Sequence, residues 1–301
     1  MIHQLSWLEA GVVGAMQGVA ELFPISSLGH SVLLPAWIGG SWARDLDVSS
    51  AESPYLAFIV GLHVATAIAL LIYFWRDWLR VIRGLVTSIA HREVSTSDQR
   101  LAWLLVLGTI PVGIVGLIAE HWFRTTLGRP VPTAIFLAIN GFILLFVEQL
   151  RRHDPTVSSV YVDERVSGPT SDRVLADMSV PRAVAIGSTQ ILALAAGISR
   201  SGVATVAGML SGLSREDSAR FSFLLATPVI LAAGALKLPD LFGPLGDGIR
   251  PQVLFGSVLS GVGAYLSVRF LTRYLAGRSL RPFGLYCIAA GAASVALFAL
   301  R

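Results

Sequence analysis

Apolar residues run through this chain in long blocks separated by short, arginine-bearing segments. Six blocks, near residues 55–75, 101–121, 131–150, 219–238, 252–272 and 281–300, approach or reach the length of a membrane span. Hydrocarbon roughly 30 Å thick takes about 20 helical residues. A backbone in that medium must satisfy its own N–H and C=O groups, so each block predicts a helix. Two further apolar regions break the pattern. Residues 7–38 are interrupted by Glu21, Pro24, Ser26 and Ser27, with Gly29 and His30 following. Residues 183–213 are interrupted by Gly197, Ser199, Arg200, Ser201 and Gly202. The arms beside each break are about 12 residues long, too short to span. They predict helical hairpins that dip into the bilayer and return.

A shift of 173 residues superimposes the two interrupted regions: Gly14 falls on Gly187, Gln17 on Gln190, Ala20 on Ala193, Ile25 on Ile198, Ser26 on Ser199 and Gly29 on Gly202. Each region is followed by three spans. One hairpin plus three spans is an odd number of crossings, so the second copy is expected upside down relative to the first. Sites in such a plan lie near the midplane, where broken helices meet. The expected fold is an all-α polytopic membrane protein with six transmembrane helices and two re-entrant helical hairpins in an inverted-topology repeat. Its parts are a first half, 1–150, a polar linker, 151–182, and a second half, 183–301.

Composition agrees. The chain of 301 residues is 54% hydrophobic and 14% charged, with a mean hydropathy of +0.68. A soluble domain carries about 25% charged residues, so a soluble globule, a disordered chain and a coiled coil are excluded. The single Cys287 excludes an internal disulfide framework and a cysteine-based zinc site. The net charge of +4 is loop charge, not a nucleic-acid signal. Of the 23 basic residues, 16 fall in the segments 76–100, 149–182, 213–220 and 269–281, whereas Arg44, Arg124, Arg129, Lys237, Arg250 and Arg301 fall on the other side. The arginine-rich side is therefore expected to be cytoplasmic, with both termini outside. The N-terminus has no basic region before its first apolar stretch, so no cleaved signal peptide is expected.

Two ionisable side chains stand at the centres of the breaks, Glu21 and Arg200, with His30 close to the first. A charge at bilayer depth is costly and faces a cavity or a partner. One reading is a structural Glu21–Arg200 pair that locks the hairpins, but it leaves the surrounding polar residues unexplained. Around Arg200, the glycines and hydroxyls of Ser199, Ser201 and Gly202 at a new helix start form an oxyanion cradle, with Arg as a planar fork for phosphate. The competing reading is a small-residue packing patch. Ser26 and Ser27 are helix caps or reactive hydroxyls, and the two roles can coexist. Ser27 and His30, three apart, share a helix face, where His30 could activate a hydroxyl or protonate a leaving oxygen. Gln17 and Glu21, four apart, offer an amide oxygen and a carboxylate to a hard divalent cation, Mg²⁺ or Ca²⁺. His63 and Asn140 sit within spans. For His63 a structural role is the first reading and a supporting role at the site the second; Asn140 reads as a helix–helix hydrogen-bonding residue. Glu9 and Glu148 read as interfacial.

The run Gln17-Gly-Val-Ala-Glu21-Leu-Phe-Pro-Ile-Ser-Ser-Leu-Gly-His30 and the run Ala196-Gly-Ile-Ser-Arg200-Ser-Gly202 resemble the two signature motifs of the undecaprenyl-diphosphatase (bacitracin-resistance) family. The resemblance implies a bacterial plasma-membrane enzyme that removes the terminal phosphate of undecaprenyl diphosphate and so recycles the cell-wall carrier lipid. It implies a divalent-metal requirement and a site reached from outside. It also implies roles: Glu21 and Gln17 as the acidic-motif positions, Ser27 as the nucleophile, His30 as its partner and Arg200 as the phosphate-binding arginine. Gln17 stands where the motif often has Glu, Leu28 where a small hydroxyl residue is usual, and Ala196 where proline is usual. The implied partners are a polyprenyl diphosphate and the bilayer; no nucleic acid is expected, and a homodimer is compatible. The rival reading is a polyprenyl-phosphate transporter or flippase that uses the same inverted-repeat site.

Overall fold

The computed structural model describes residues 5–48, 54–152 and 169–300, and the regular elements among them are helical. Half of the linker expected at 151–182, its residues 153–168, lies outside the described residues, as do Met1 and Arg301. In chain order the helices are α1 (Trp7–Ala20), α2 (Ser27–Ile38), the short α3 (Gly40–Asp45), α4 (Pro54–Tyr73), α5 (Trp75–His91), α6 (Ser97–Trp122), α7 (Pro130–Arg152), α8 (Pro169–Ala176), α9 (Val180–Ser188), α10 (Arg200–Leu210), α11 (Arg215–Lys237), α12 (Arg250–Leu275) and α13 (Arg281–Ala299). Six of these, α4, α6, α7, α11, α12 and α13, are long and apolar enough to cross a membrane. They coincide with the six expected blocks.

α1 starts on a capping box. The Glu9 amide donates to Ser6 Oγ at 3.2 Å, and the Ser6 amide to Glu9 Oε2 at 2.8 Å. Glu9 is thus a buried cap rather than an interfacial residue. Thr96 and Gln99 open α6 in the same way.

Two helices depart from the expectation: α8 forms within the segment read as a polar linker, with Leu175 and Ala176 buried, and the longer departure is α5. Residues 76–100, read as a loop because of their arginines, contain α5. Its apolar positions recur at helical spacing: Trp75, Leu79, Ile82, Val86 and Ile89 form an exposed stripe, while Val81, Gly84 and Ser88 are buried. The helix packs along α6.

The long helices pair through small residues. Apolar side chains gain little by leaving lipid for protein, so close packing carries the association. α1 lies across α12, and α9 across α6. A Cβ at Gly14 would lie 2.4 Å from the Gly256 carbonyl oxygen, and one at Gly187 would lie 2.0 Å from that of Gly108. Positions matched by the 173-residue shift thus make matching contacts, each with a helix from the other end of the chain.

Buried apolar side chains gather in two main clusters. One, toward the arginine-rich end, includes Leu70, Leu104, Phe221, Phe223 and Leu271. The other, toward the opposite end, includes Val13, Tyr55, Phe58, Leu62 and Val253. The polar breaks lie between them. At the arginine-rich end, Glu148 is buried and accepts from Arg215 Nε at 2.8 Å, Arg215 Nη2 at 2.7 Å and the Leu280 amide at 2.9 Å. It joins α7, α11 and the start of α13, instead of sitting at an interface. Arg220 reaches Asp77 at 3.0 Å and fastens α5 to α11.

Candidate active site

α1 ends at Ala20, and α2 resumes at Ser27 after a turn containing Pro24, which has no N–H to continue a helix. Ser26 stands at the corner with φ of +67°, a conformation few non-glycine residues adopt. Its hydroxyl holds the corner. Ser26 Oγ accepts from the Gly29 amide at 3.1 Å and from the Gly197 amide of the second break at 3.2 Å. The second break follows a 3₁₀ segment, Thr189–Leu194. It turns at Gly197, whose φ of +108° excludes other residue types without strain. Ser199 then caps α10 by accepting from the Gly202 amide at 3.1 Å, as Ser26 caps α2.

The two breaks touch along their length. A Cβ on Gly29 would lie 2.9 Å from Gly197 Cα. Ser201 Oγ donates to the Phe23 carbonyl at 3.4 Å. Asn140 of α7 joins them: its Nδ2 donates to the Pro24 carbonyl at 2.9 Å and its Oδ1 accepts from the Ser199 amide at 3.0 Å. The helix–helix role expected for Asn140 is thus a bridge between two chain breaks.

Glu21 is the centre. Oε1 pairs with Arg200 Nη2. Oε2 accepts from Ser27 Oγ at 2.5 Å and from Gln17 Nε2 at 3.0 Å, and lies 3.2 Å from His63 Nε2. Arg200 Nη1 also donates to the Ala226 carbonyl at 3.3 Å. His63 Nδ1 faces the Ile59 carbonyl at 2.8 Å, and a carbonyl can only accept. Both His63 ring nitrogens therefore face acceptors.

Glu21, Ser26, Ser27, His63, Gln190, Ser199 and Arg200 line one cavity of about 250 Å³ between α4, α6, α11 and the breaks. Glu120 and Arg124 of α6 also line it. A larger groove of about 560 Å³, between α4 and α12, is lined by Ala65, Ile68, Ile72, Val258, Val262 and other uncharged residues, so it offers no chemistry of this kind. Of the residues singled out in the sequence, Ser201 and Gly202 support the second break behind the cavity wall, and Gln17 backs Glu21.

His30 is placed differently from its expected partnership with Ser27. Its Nδ1 faces the Ser26 carbonyl at 2.8 Å and its Nε2 faces the Tyr286 hydroxyl of α13 at 2.7 Å, with the two rings stacked 5.7 Å apart. Both ring nitrogens are engaged away from Ser27, and His30 is not among the side chains lining the cavity. The histidine that reaches the carboxylate is His63, for which the sequence reading put a structural role first. The available signal was an ionisable side chain in the middle of a span.

Among the described residues, no three of His, Cys, Asp and Glu gather as a metal cage. Oxygens that a cation could meet here include those of Glu21 and Glu120 and the buried amide oxygens Gln17 Oε1 and Gln190 Oε1, neither of which has a hydrogen-bond partner.

Six helices long and apolar enough to cross a membrane, with a carboxylate, a guanidinium and a serine joined at a cavity between two helix breaks, define a polytopic membrane protein. A family profile described as "Bacitracin resistance protein BacA" matches residues 10–293, and the chain belongs to that family. It is 59% identical to an undecaprenyl-diphosphatase of Mycolicibacterium paratuberculosis over the whole of both chains. It is 48% identical to undecaprenyl-diphosphatase 1 of Frankia casuarinae over 99% of this chain and 100% of that one. Against undecaprenyl-diphosphatase 2 of Chromobacterium violaceum the identity is 41%, over 94% and 96% respectively.

Proposed function

We propose that this protein is an undecaprenyl-diphosphate phosphatase of the bacterial plasma membrane, which returns the carrier lipid as its monophosphate. The observation that carries the reading is the hydrogen bond from Ser27 Oγ to a Glu21 carboxylate that Arg200 holds from the other break. Ser27 attacks the terminal phosphorus, and its proton passes to Glu21. The bond from that phosphorus to the bridging oxygen breaks, and undecaprenyl phosphate departs with the electron pair. Water then attacks phosphoserine: one of its protons stays on the oxygen newly bound to phosphorus, the other passes to a phosphate oxygen, and the Ser27 oxygen leaves with the proton that Glu21 holds, so inorganic phosphate is released. Arg200 and His63 face the charge that develops on the phosphate oxygens, which is the main task in phosphoryl transfer. The isoprenoid tail stays among apolar helix faces.

A divalent cation, Mg²⁺ or Ca²⁺, fits beside Glu21 in that the buried Gln17 oxygen lacks a partner. Gln17 and Glu21 would hold it, and bound there it would withdraw charge from the phosphate.

The same proposal covers topology. The arms of α1–α2 and of α9–α10 are too short to span and are read as re-entrant hairpins in an inverted repeat. The matched Gly14–Gly256 and Gly187–Gly108 contacts support this. The arginine-rich end is read as cytoplasmic, with both termini outside and the cavity open to the outer side. The exposed apolar stripe of α5, beside Arg76 and Arg83, lies along the cytoplasmic surface. The transport reading has no observation of its own.

Purified in detergent, where no two sides exist, the protein is expected to release phosphate from a polyprenyl diphosphate when Mg²⁺ or Ca²⁺ is present. Glu21→Ala, Ser27→Ala and Arg200→Ala should each lower turnover by at least about 10²–10³-fold while the protein still inserts. Release at the parent rate by the Glu21 or Arg200 variant would remove the site assignment.

A further inference from the structure

Gln190 belongs to the cavity wall but has no part in the scheme above. It lies on the 3₁₀ segment that leads into the second break and is 1% exposed. Its Nε2 donates to the Gly187 carbonyl at 3.3 Å, which fixes the orientation of the amide: the reversed orientation would set two oxygens against each other. Its Oε1 is then left buried with no hydrogen-bond partner. Such an oxygen is costly to keep, and native proteins retain one where water, ligand or chemistry uses it. Gln17, matched to Gln190 by the 173-residue shift, carries the same kind of orphaned oxygen, but it stands behind Glu21 rather than on the cavity wall.

An amide oxygen only accepts. It repels the oxygens of an ionised phosphate, which also only accept, so the substrate's head group does not satisfy it. With the cation assigned to Gln17 and Glu21, what satisfies the Gln190 oxygen is a donor that fits beside the phosphate, and the reaction brings one: water. A volume of about 250 Å³ holds several waters at roughly 30 Å³ each.

We propose that Gln190 is a positioning residue whose Oε1 accepts a hydrogen bond from the water that hydrolyses the phosphoserine. It thereby aims the water's lone pair at phosphorus. This rests on the phosphatase reading. In the step, the new bond joins the water oxygen to phosphorus and the broken bond is that to Ser27 Oγ. Gln190 neither gains nor loses a proton.

The test is Gln190→Met, which keeps the side chain's length and removes the acceptor. Purified parent and variant are compared on a polyprenyl diphosphate in the presence of methanol, which competes with water for the phosphoryl group. The variant is expected to lose about tenfold or more in kcat with KM falling in step, so that kcat/KM, which reports only the steps up to phosphoserine formation, stays within about twofold of the parent. Its Tm should be equal or higher, because an unsatisfied oxygen has left the interior. The ratio of methyl phosphate to inorganic phosphate should rise at least about threefold, because the handicap falls on water alone. A kcat within about twofold of the parent, a ratio that does not move, or a loss of kcat matched by a fall in Tm would each overturn the assignment. A parent protein that releases no phosphate at all would instead overturn the phosphatase reading on which this one stands.

Discussion

Ser26 occupies a left-handed backbone conformation that costs on the order of 1 kcal/mol or more. Three contacts hold it there. Its hydroxyl takes the amides of Gly29 and Gly197, and its carbonyl faces His30 Nδ1. These contacts make His30 part of the corner itself. It ties the corner carrying Ser27 to Tyr286 of α13. His30→Ala should therefore lower kcat by about 10–100-fold through misplacement of Ser27, with a pH–rate profile of the parent's shape. Loss of one limb of that profile would instead mark His30 as the base. At this scale the sequence was legible for groups within a break. Glu21, Ser27 and Arg200 stood out as polar residues in apolar arms. The partners of His30 and His63 were not legible, because Tyr286 lies 256 residues from His30, and His63 meets Glu21 only once α4 has packed against the break.

Helices were legible where one property ran their full length. The six long ones declared themselves by hydropathy, and the broken ones by polar residues at their centres. α5 was hidden because its arginines drew attention away from an apolar stripe of helical period. The contacts between helices rest on absent side chains, as at Gly187 beneath Gly108. Gly187→Ala should force α9 away from α6 and destabilise the protein by about 1–3 kcal/mol. It should also lower turnover, since α9 leads directly into the segment that carries Gln190 and Arg200. The control is Gly113→Ala, where a Cβ meets nothing within 4 Å. Thermal unfolding in detergent should separate the two variants, and equal Tm values would show that the close contact carries no weight.

For the whole molecule, the charges at the helix ends agree with the contacts made there. Arg215 with Glu148, Arg220 with Asp77 and Arg100 with the Met178 carbonyl gather at one end. Arg124 with the Val48 carbonyl lies at the other. Cys287 is buried, so single reporter cysteines can test sidedness against a silent background. In intact cells a membrane-impermeant maleimide should label Ala43→Cys but reach Glu93→Cys only after lysis. The reverse pattern would invert the proposed orientation.

Asn140 gives one carboxamide to two interruptions of the backbone, one from each end of the chain. Hybrids assembled from this protein and a distant relative, joined within the linker, would therefore combine two surfaces that had not changed in step with each other. Such hybrids could insert normally and still lack turnover, and compensating changes restoring it should map to the seam around Asn140, Gly29 and Gly197 rather than to the reacting groups.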